Sequence, residues 1–147
     1  MEDCLFCKII KGEIPNYTVY ENEKTLALLD INPNTRGHTL IIPKEHASNI
    51  IEMEDLSVDA VFRTVRKVVR GLQTVLDPDG FNLVVNHGEA AGQLIHHFHC
   101  HVIPRYVGDA IEFNAKGITL SEEEFKDLAQ KVSNQIRTKS SLTLGFS

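Results

Sequence analysis

His97-Phe98-His99-Cys100-His101-Val102 alternates imidazole and apolar side chains, with Ile103 and then Pro104 behind it. Side chains on a strand change faces at every residue, so the alternation predicts a strand over His97 to Ile103, stopped by Pro104. His97, His99 and His101 then share one face, about 6.6 Å from neighbour to neighbour at a rise of roughly 3.3 Å per residue, while Phe98, Cys100 and Val102 point into a core. A single strand histidine is ordinarily a structural residue. Three in register are not explained by stability, because clustering imidazoles disfavours their protonation together. Two chemistries would account for them: a metal site, or phosphoryl transfer through a nucleophilic imidazole.

Outward from this strand, Asn86 to Gly92 reads as a glycine-containing loop and Phe81 to Val85 as a strand. Before it, Val61, Phe62, Val65, Val68, Val69, Leu72, Val75 and Leu76 recur at helical spacing from Ser57 on, and Asp77-Pro78-Asp79-Gly80 ends that helix. Further upstream, Val19–Glu21, Thr25–Leu29 and Thr39–Ile42 read as strands. Asp3 is placed to cap a short helix over Cys4–Lys11, which Gly12 ends. Downstream, Ser121 and Glu124 form a capping box for a last helix over about residues 121–138, with Leu128, Val132 and Ile136 along it; residues 140–147 are expected to fray. Five strands with hairpin-length links and segregated helices indicate an α+β fold on a mainly antiparallel sheet.

The 147 residues suit one domain over the whole chain, with a core at about residues 4–105. Apolar runs are too short to span a membrane, and the acidic Met1-Glu2-Asp3 start is unlike a secretory signal. A net charge of -5, without a basic patch interleaved with aromatics, argues against nucleic acid as a partner. Three cysteines, Cys4, Cys7 and Cys100, fit a reducing, cytoplasmic setting.

The segment from Gly92 through His97-Phe98-His99-Cys100-His101 to Arg105 resembles the signature of the histidine triad family. Lys8-Ile9-Ile10, Glu13-Ile14-Pro15, Asp30-Ile31-Asn32-Pro33, Gly37 through His46, and Asn86 fall where that family has them, so the resemblance covers about Cys4 to Arg105. It implies a homodimeric hydrolase or transferase acting at the α-phosphorus of a purine nucleotide: a phosphoramidate, an acyl-nucleotide or a dinucleoside polyphosphate. His99 would attack phosphorus to give a nucleotidyl-histidine, with a backbone carbonyl holding its other nitrogen. His101 would donate to the phosphate or the bridging atom, with His38 orienting it from behind. Asn86 and Gln93 would donate amide hydrogens to phosphate oxygens, and Gly92 would allow close approach. Asp30 matches the ribose-binding carboxylate, and Leu5, Phe6, Ile9, Leu28 and Ile31 match the base pocket, although these five also suit an ordinary core. Leu94 departs from the family: many phosphoramidases carry a hydroxyl residue there, so a histidine or water must protonate an amine leaving group.

Cys4 and Cys7, three apart on a helix, share a face and offer two thiolates. Free cysteines are also commonly just small buried hydrophobes. Microbial triad proteins that this chain resembles complete a structural zinc site with residues matching His46 and His97. Two other functions compete with the nucleotidyl-transfer reading. One is a hydrolase whose zinc is held by His97, His99 and His101 together; the other is a nucleotide-binding module without turnover.

Overall fold

The structure is a computed structural model and describes residues 3–113 and 115–145. The chain divides into two compact units, Met1–Ile111 and Glu112–Ser147, where the sequence alone reads as one.

The first unit is a five-stranded antiparallel sheet, β1 (Thr18–Glu21), β2 (Thr25–Leu29), β3 (Thr39–Pro43), β4 (Gly80–Val84) and β5 (Cys100–Arg105), in the order β1-β2-β3-β5-β4. Alternation divides its apolar residues between two faces. On one, Ala27, Ile41, Phe98, Cys100 and Val102 pack with Val61, Val65, Val68 and Leu72 of α2 (Asp55–Leu76). On the other, Leu26, Leu28, Leu40 and Ile42 pack with Phe6 and Ile9 of α1 (Leu5–Ile10). The long helix therefore covers one face and the short one the other, where the histidines lie. Phe62 and Val75, counted in the apolar stripe of α2, are 41% and 77% exposed; Thr64 is buried instead and meets Thr25, hydroxyl to hydroxyl, at 2.7 Å.

Of the boundaries that differ from the sequence reading, three bear on the site. The N-cap of α1 is Cys4, whose Sγ accepts from the Cys7 N–H at 3.3 Å, and not Asp3. β5 begins at Cys100, so His97 and His99 precede the strand. Extending the β3 ladder past Ile41↔Cys100 would bring in Pro43, which has no N–H to contribute, and the Phe98 N–H donates instead to the Ala47 carbonyl at 2.7 Å. At its other end β5 runs through Pro104 to Arg105. The β3 ladder stops at Thr39↔Val102 and only β4 flanks Pro104, so the missing donor is tolerated.

The second unit holds α3 (Glu122–Gly145), opened by the expected capping box: Ser121 N–H to Glu124 Oε1 and Glu124 N–H to Ser121 Oγ, both 3.1 Å. It continues past residue 138 and through the segment expected to fray as far as Gly145, there being no glycine or proline before that point. Phe146 and Ser147 lie outside the described residues. No helix among the described residues is long and apolar enough to cross a membrane.

Candidate active site and metal centre

Backbone carbonyls and amides decide which nitrogen of each histidine carries its proton. A carbonyl only accepts, so His99 Nδ1–H donates to the His97 carbonyl at 2.8 Å, which leaves the lone pair on Nε2. His99 is buried, edge-on to Phe6 at 5.1 Å between ring centroids, and Nε2 has no partner among the described residues. At His38 the logic runs the other way. The Asn34 N–H donates to Nδ1 at 3.0 Å, so the proton sits on Nε2 and points at His101 Nδ1, 3.0 Å away, with Asp30 Oδ2 at 3.5 Å. His101 must then carry its own proton on Nε2, the nitrogen turned away from His38. A fixed chain from the Asn34 amide through His38 thus presents an N–H of His101 beside the lone pair of His99, their rings 4.9 Å apart.

Burial keeps these imidazoles neutral. Desolvation lowers His99 from its ordinary value, against the His97 carbonyl and the Asp30 charge; it lowers His38 likewise, against Asp30. His101 falls to about 4, from burial first and then from His99 and His38.

His99 and His101 open onto a cavity of about 490 Å³ that Asp30, Asn86, Gly92, Leu5, Phe6, Ile9, Leu28 and Ile31 also line. The structure therefore brings Asp30, the expected base residues and, of the expected phosphate residues, Asn86, Gly92 and His101 to one place. Leu5 and Ile31 stand at 41% and 74% exposure, whereas Phe6, Ile9 and Leu28 are buried and serve core and cavity together. The Asn86 side-chain amide makes no hydrogen bond among the described residues. Gly92 takes φ of +95°, which favours glycine. Ile14, Pro15, Asn16, Leu29, Asn32, Leu40, Leu94 and Ile95 also line it; the sequence assigned none of them a binding role, since nothing in their pattern sets them apart from loop and core residues.

Gln93 is a correction. It is buried, its Nε2 donates to the Ser48 carbonyl at 2.7 Å and the Ile95 carbonyl at 3.0 Å, and its Oε1 accepts from the Gly88 N–H at 2.9 Å. Both amide hydrogens are committed, so Gln93 holds the loop that carries Asn86 and Gly92 and does not reach a phosphate. His87 and His96, given no role, are exposed.

His97 faces elsewhere. Its Nε2–H donates to the Pro43 carbonyl at 2.8 Å, and the Nδ1 lone pair points at Cys4 Sγ (3.3 Å), Cys7 Sγ (3.6 Å) and His46 Nδ1 (3.1 Å). Cys7 Sγ to His46 Nδ1 is 3.3 Å. A tetrahedral ion with bonds of about 2.3 Å to sulfur and 2.0–2.1 Å to nitrogen sets its ligand atoms roughly 3.3–3.8 Å apart, so donor types and spacing both suit one. Among the described residues His97, His99 and His101 do not converge as ligands: the Nδ1 atoms of His99 and His101 are committed as above.

A HIT-domain profile matches residues 11–108. The chain belongs to the HIT family. This HIT chain is 43% identical over 135 residues to Protein hit of Bacillus subtilis, with 92% of each chain covered. It is 36% identical to an adenosine 5′-monophosphoramidase of Schizosaccharomyces pombe, covering 91% of this chain and 98% of that one. A zinc-bound histidine triad protein from Mycobacterium smegmatis superposes with a TM-score of 0.72 at 34% identity, over 94% of this chain and 98% of that one.

Proposed function

We propose that this protein is a nucleotide hydrolase or transferase in which His99 attacks the α-phosphorus of a purine nucleotide derivative. The observation that carries the reading is the unpartnered Nε2 of a neutral, buried His99, oriented by the His97 carbonyl and opening onto a cavity that the Asp30 carboxylate also lines. As Nε2 bonds to phosphorus, the bond to the leaving atom breaks and its electron pair departs with that atom. His101 Nε2–H donates to the phosphoryl oxygen on which charge develops, or to the leaving atom itself, and Asn86 supplies a further amide donor. Water then cleaves the phosphorus–nitrogen bond, releasing the nucleoside monophosphate and returning the lone pair to His99. Activity of the Schizosaccharomyces relative on an AMP amide supports an adenosine ligand.

We also propose that Cys4, Cys7, His46 and His97 hold one zinc ion. It would be structural, joining the start of α1 to the segments behind β3 and ahead of β5 and leaving His99 free for chemistry. The same reading takes the protein as a cytoplasmic homodimer without nucleic-acid partners, with β4 as the pairing strand: it lies at the sheet edge, with Leu83 53% exposed on it.

The test is His99→Ala. Turnover of an adenylate ester should fall by about three orders of magnitude or more while AMP still binds, whereas His101→Ala should cost roughly 10²–10³-fold. Neutral quench of the wild type, followed by peptide mass spectrometry, should place one nucleotidyl adduct on His99; an adduct on His97 or His101, or full activity of His99→Ala, defeats the assignment.

A further inference from the structure

Cys4 and Cys7 belong to one short helix but meet solvent differently. Cys4, the N-cap of α1, is half-buried and borders a cleft of about 690 Å³ together with Asp3, Ser48 and His96. Cys7 is 8% exposed and does not line that cleft. Both are free thiols, and their sulfurs lie within 4.8 Å of each other. Residues three apart at a helix start have Cα atoms roughly 5 Å apart, from a rise of about 1.5 Å and about 3.6 residues per turn. That falls inside the window of about 4.4–6.8 Å in which a disulfide closes without movement of the backbone. The third cysteine, Cys100, is fully buried on the opposite face of the sheet among the residues that pack with α2, where neither of the others reaches it.

The same two sulfurs face His97 Nδ1 and His46 Nδ1, each 3.3 Å from one of them. Joined to each other, they would have no negative charge left to offer, and His46 and His97 alone are too few donors for a closed site. What depends on the cluster is the wall of the catalytic cavity: Leu5, Phe6 and Ile9 of α1 line it, and Phe6 lies edge-on to His99. The state of a cysteine pair outside that cavity therefore bears on the nucleotide site inside it. In a reducing compartment a disulfide of this kind is transient, which suits a sensor and not a structural link.

Resting on the zinc reading above, we propose that Cys4 and Cys7 form a peroxide-sensitive pair whose oxidation to a disulfide releases the metal and weakens nucleotide binding. The Cys4 thiolate, which the cleft exposes, attacks one peroxide oxygen; the O–O bond breaks, hydroxide leaves, and Cys4 carries a sulfenic acid. The Cys7 thiolate then bonds to the Cys4 sulfur and expels the second oxygen as hydroxide. Two thiolates have lost two electrons and the peroxide has gained them, with solvent protonating both hydroxides. A dithiol reductant reverses the step, and zinc can return.

The experiment treats the zinc-loaded protein with hydrogen peroxide beside a chromogenic zinc chelator, then alkylates the remaining thiols and maps them by peptide mass spectrometry. One zinc per chain should be released in step with a Cys4–Cys7 peptide two hydrogens lighter, while Cys100 stays reduced and becomes alkylated on unfolding. AMP affinity should fall about fivefold or more, within the range of ordinary coupling between sites, and dithiothreitol with zinc should restore it. Cys4→His keeps a nitrogen donor for the metal and removes the disulfide, so it should hold both zinc and AMP affinity through the same treatment. Zinc retained under peroxide with both thiols intact, Cys4 oxidised beyond the sulfenic acid without a disulfide, an unchanged AMP affinity, or equal zinc loss from Cys4→His overturns this proposal while the zinc reading stands. Reduced protein that binds no zinc overturns both.

Discussion

His38 is 3% exposed and both of its ring nitrogens are committed, one to the Asn34 amide and one to His101, so it acts by fixing which nitrogen of His101 bears the proton. His38→Phe keeps the volume and removes both bonds. The expected result is a kcat lower by about 10–100-fold with little change in KM, the usual cost of losing an orienting partner. Asp30→Ala should do the reverse, raising KM more than it slows single turnover at saturation, because a ribose contact is remote from phosphorus and contributes mostly uniform binding. The pH profile follows from the buried imidazoles. Folded His99 and His101 sit below the ordinary value of 6.5, so their reactive neutral forms persist as pH falls past 6.5, and the acid limb of kcat/KM should lie below that value and extend toward about 4. A limb centred above 6.5 would contradict their burial. At this scale alternation placed His97, His99 and His101 on one face, and the family resemblance, not the alternation, proposed His99 and His101 for the chemistry. Alternation could not reveal the Asn34 amide or the His97 carbonyl, because backbone groups carry no residue-type signal, and the resemblance, which gave Gln93 a phosphate contact, could not show its bond to Ser48, 45 residues distant.

Between the elements, the loop from Asn86 to Gly92 is held by Gln93, which joins it to the Ser48 carbonyl of a separate loop. Gln93→Leu would bury the Gly88 N–H and the Ser48 and Ile95 carbonyls without their partner. Each unsatisfied group costs roughly 1–3 kcal/mol where water cannot reach, so a loss of about 2 kcal/mol or more is expected, read as a lower urea midpoint at unchanged slope. A change below about 0.5 kcal/mol would mean that water or another donor takes over. The strands and α2 were legible because period two and period 3.6 each persist over enough residues, and turn residues bound them. The start of β5 was not. Alternation continues through His97 and His99 although ladder pairing does not, since side-chain facing survives wherever the backbone stays extended, whether or not a partner strand is there.

In the first unit, the sheet face on which the histidines lie is closed by α1, a helix of six residues, too short to hold together on its own. Phe6 and Ile9 anchor it in the core with Leu26, Leu28, Leu40 and Ile42, and Phe6 also meets His97 and His99, at 5.8 and 5.1 Å between centroids. The cluster of Cys4, Cys7, His46 and His97 lies at this joint, so a zinc ion there would tie the helix to the cavity wall and to the segment that enters β5. The sequence indicated the ligand set only through family resemblance, because His46 and His97 are far from the cysteines in the chain and meet them through the fold. Protein purified without added metal should contain one zinc per chain. Chelation should lower the melting temperature and make it depend on zinc concentration, with a contribution of about 2.7 kcal/mol when free zinc is 100-fold above its dissociation constant. The loss should be local first: amide exchange should accelerate in residues 4–11 before the β2 and β3 ladders, and AMP affinity should weaken with it because Leu5, Phe6 and Ile9 line the cavity. The metal-free chain should also lose stability as pH falls from 6.5 toward about 4, since burial depresses folded His97 to about 4 while the unfolded imidazole takes up its proton near 6.5. Metal-free protein with the melting temperature and α1 exchange of the zinc form would refute the structural role, and zinc retained after Cys4→Ser and Cys7→Ser together would place the ion at other ligands.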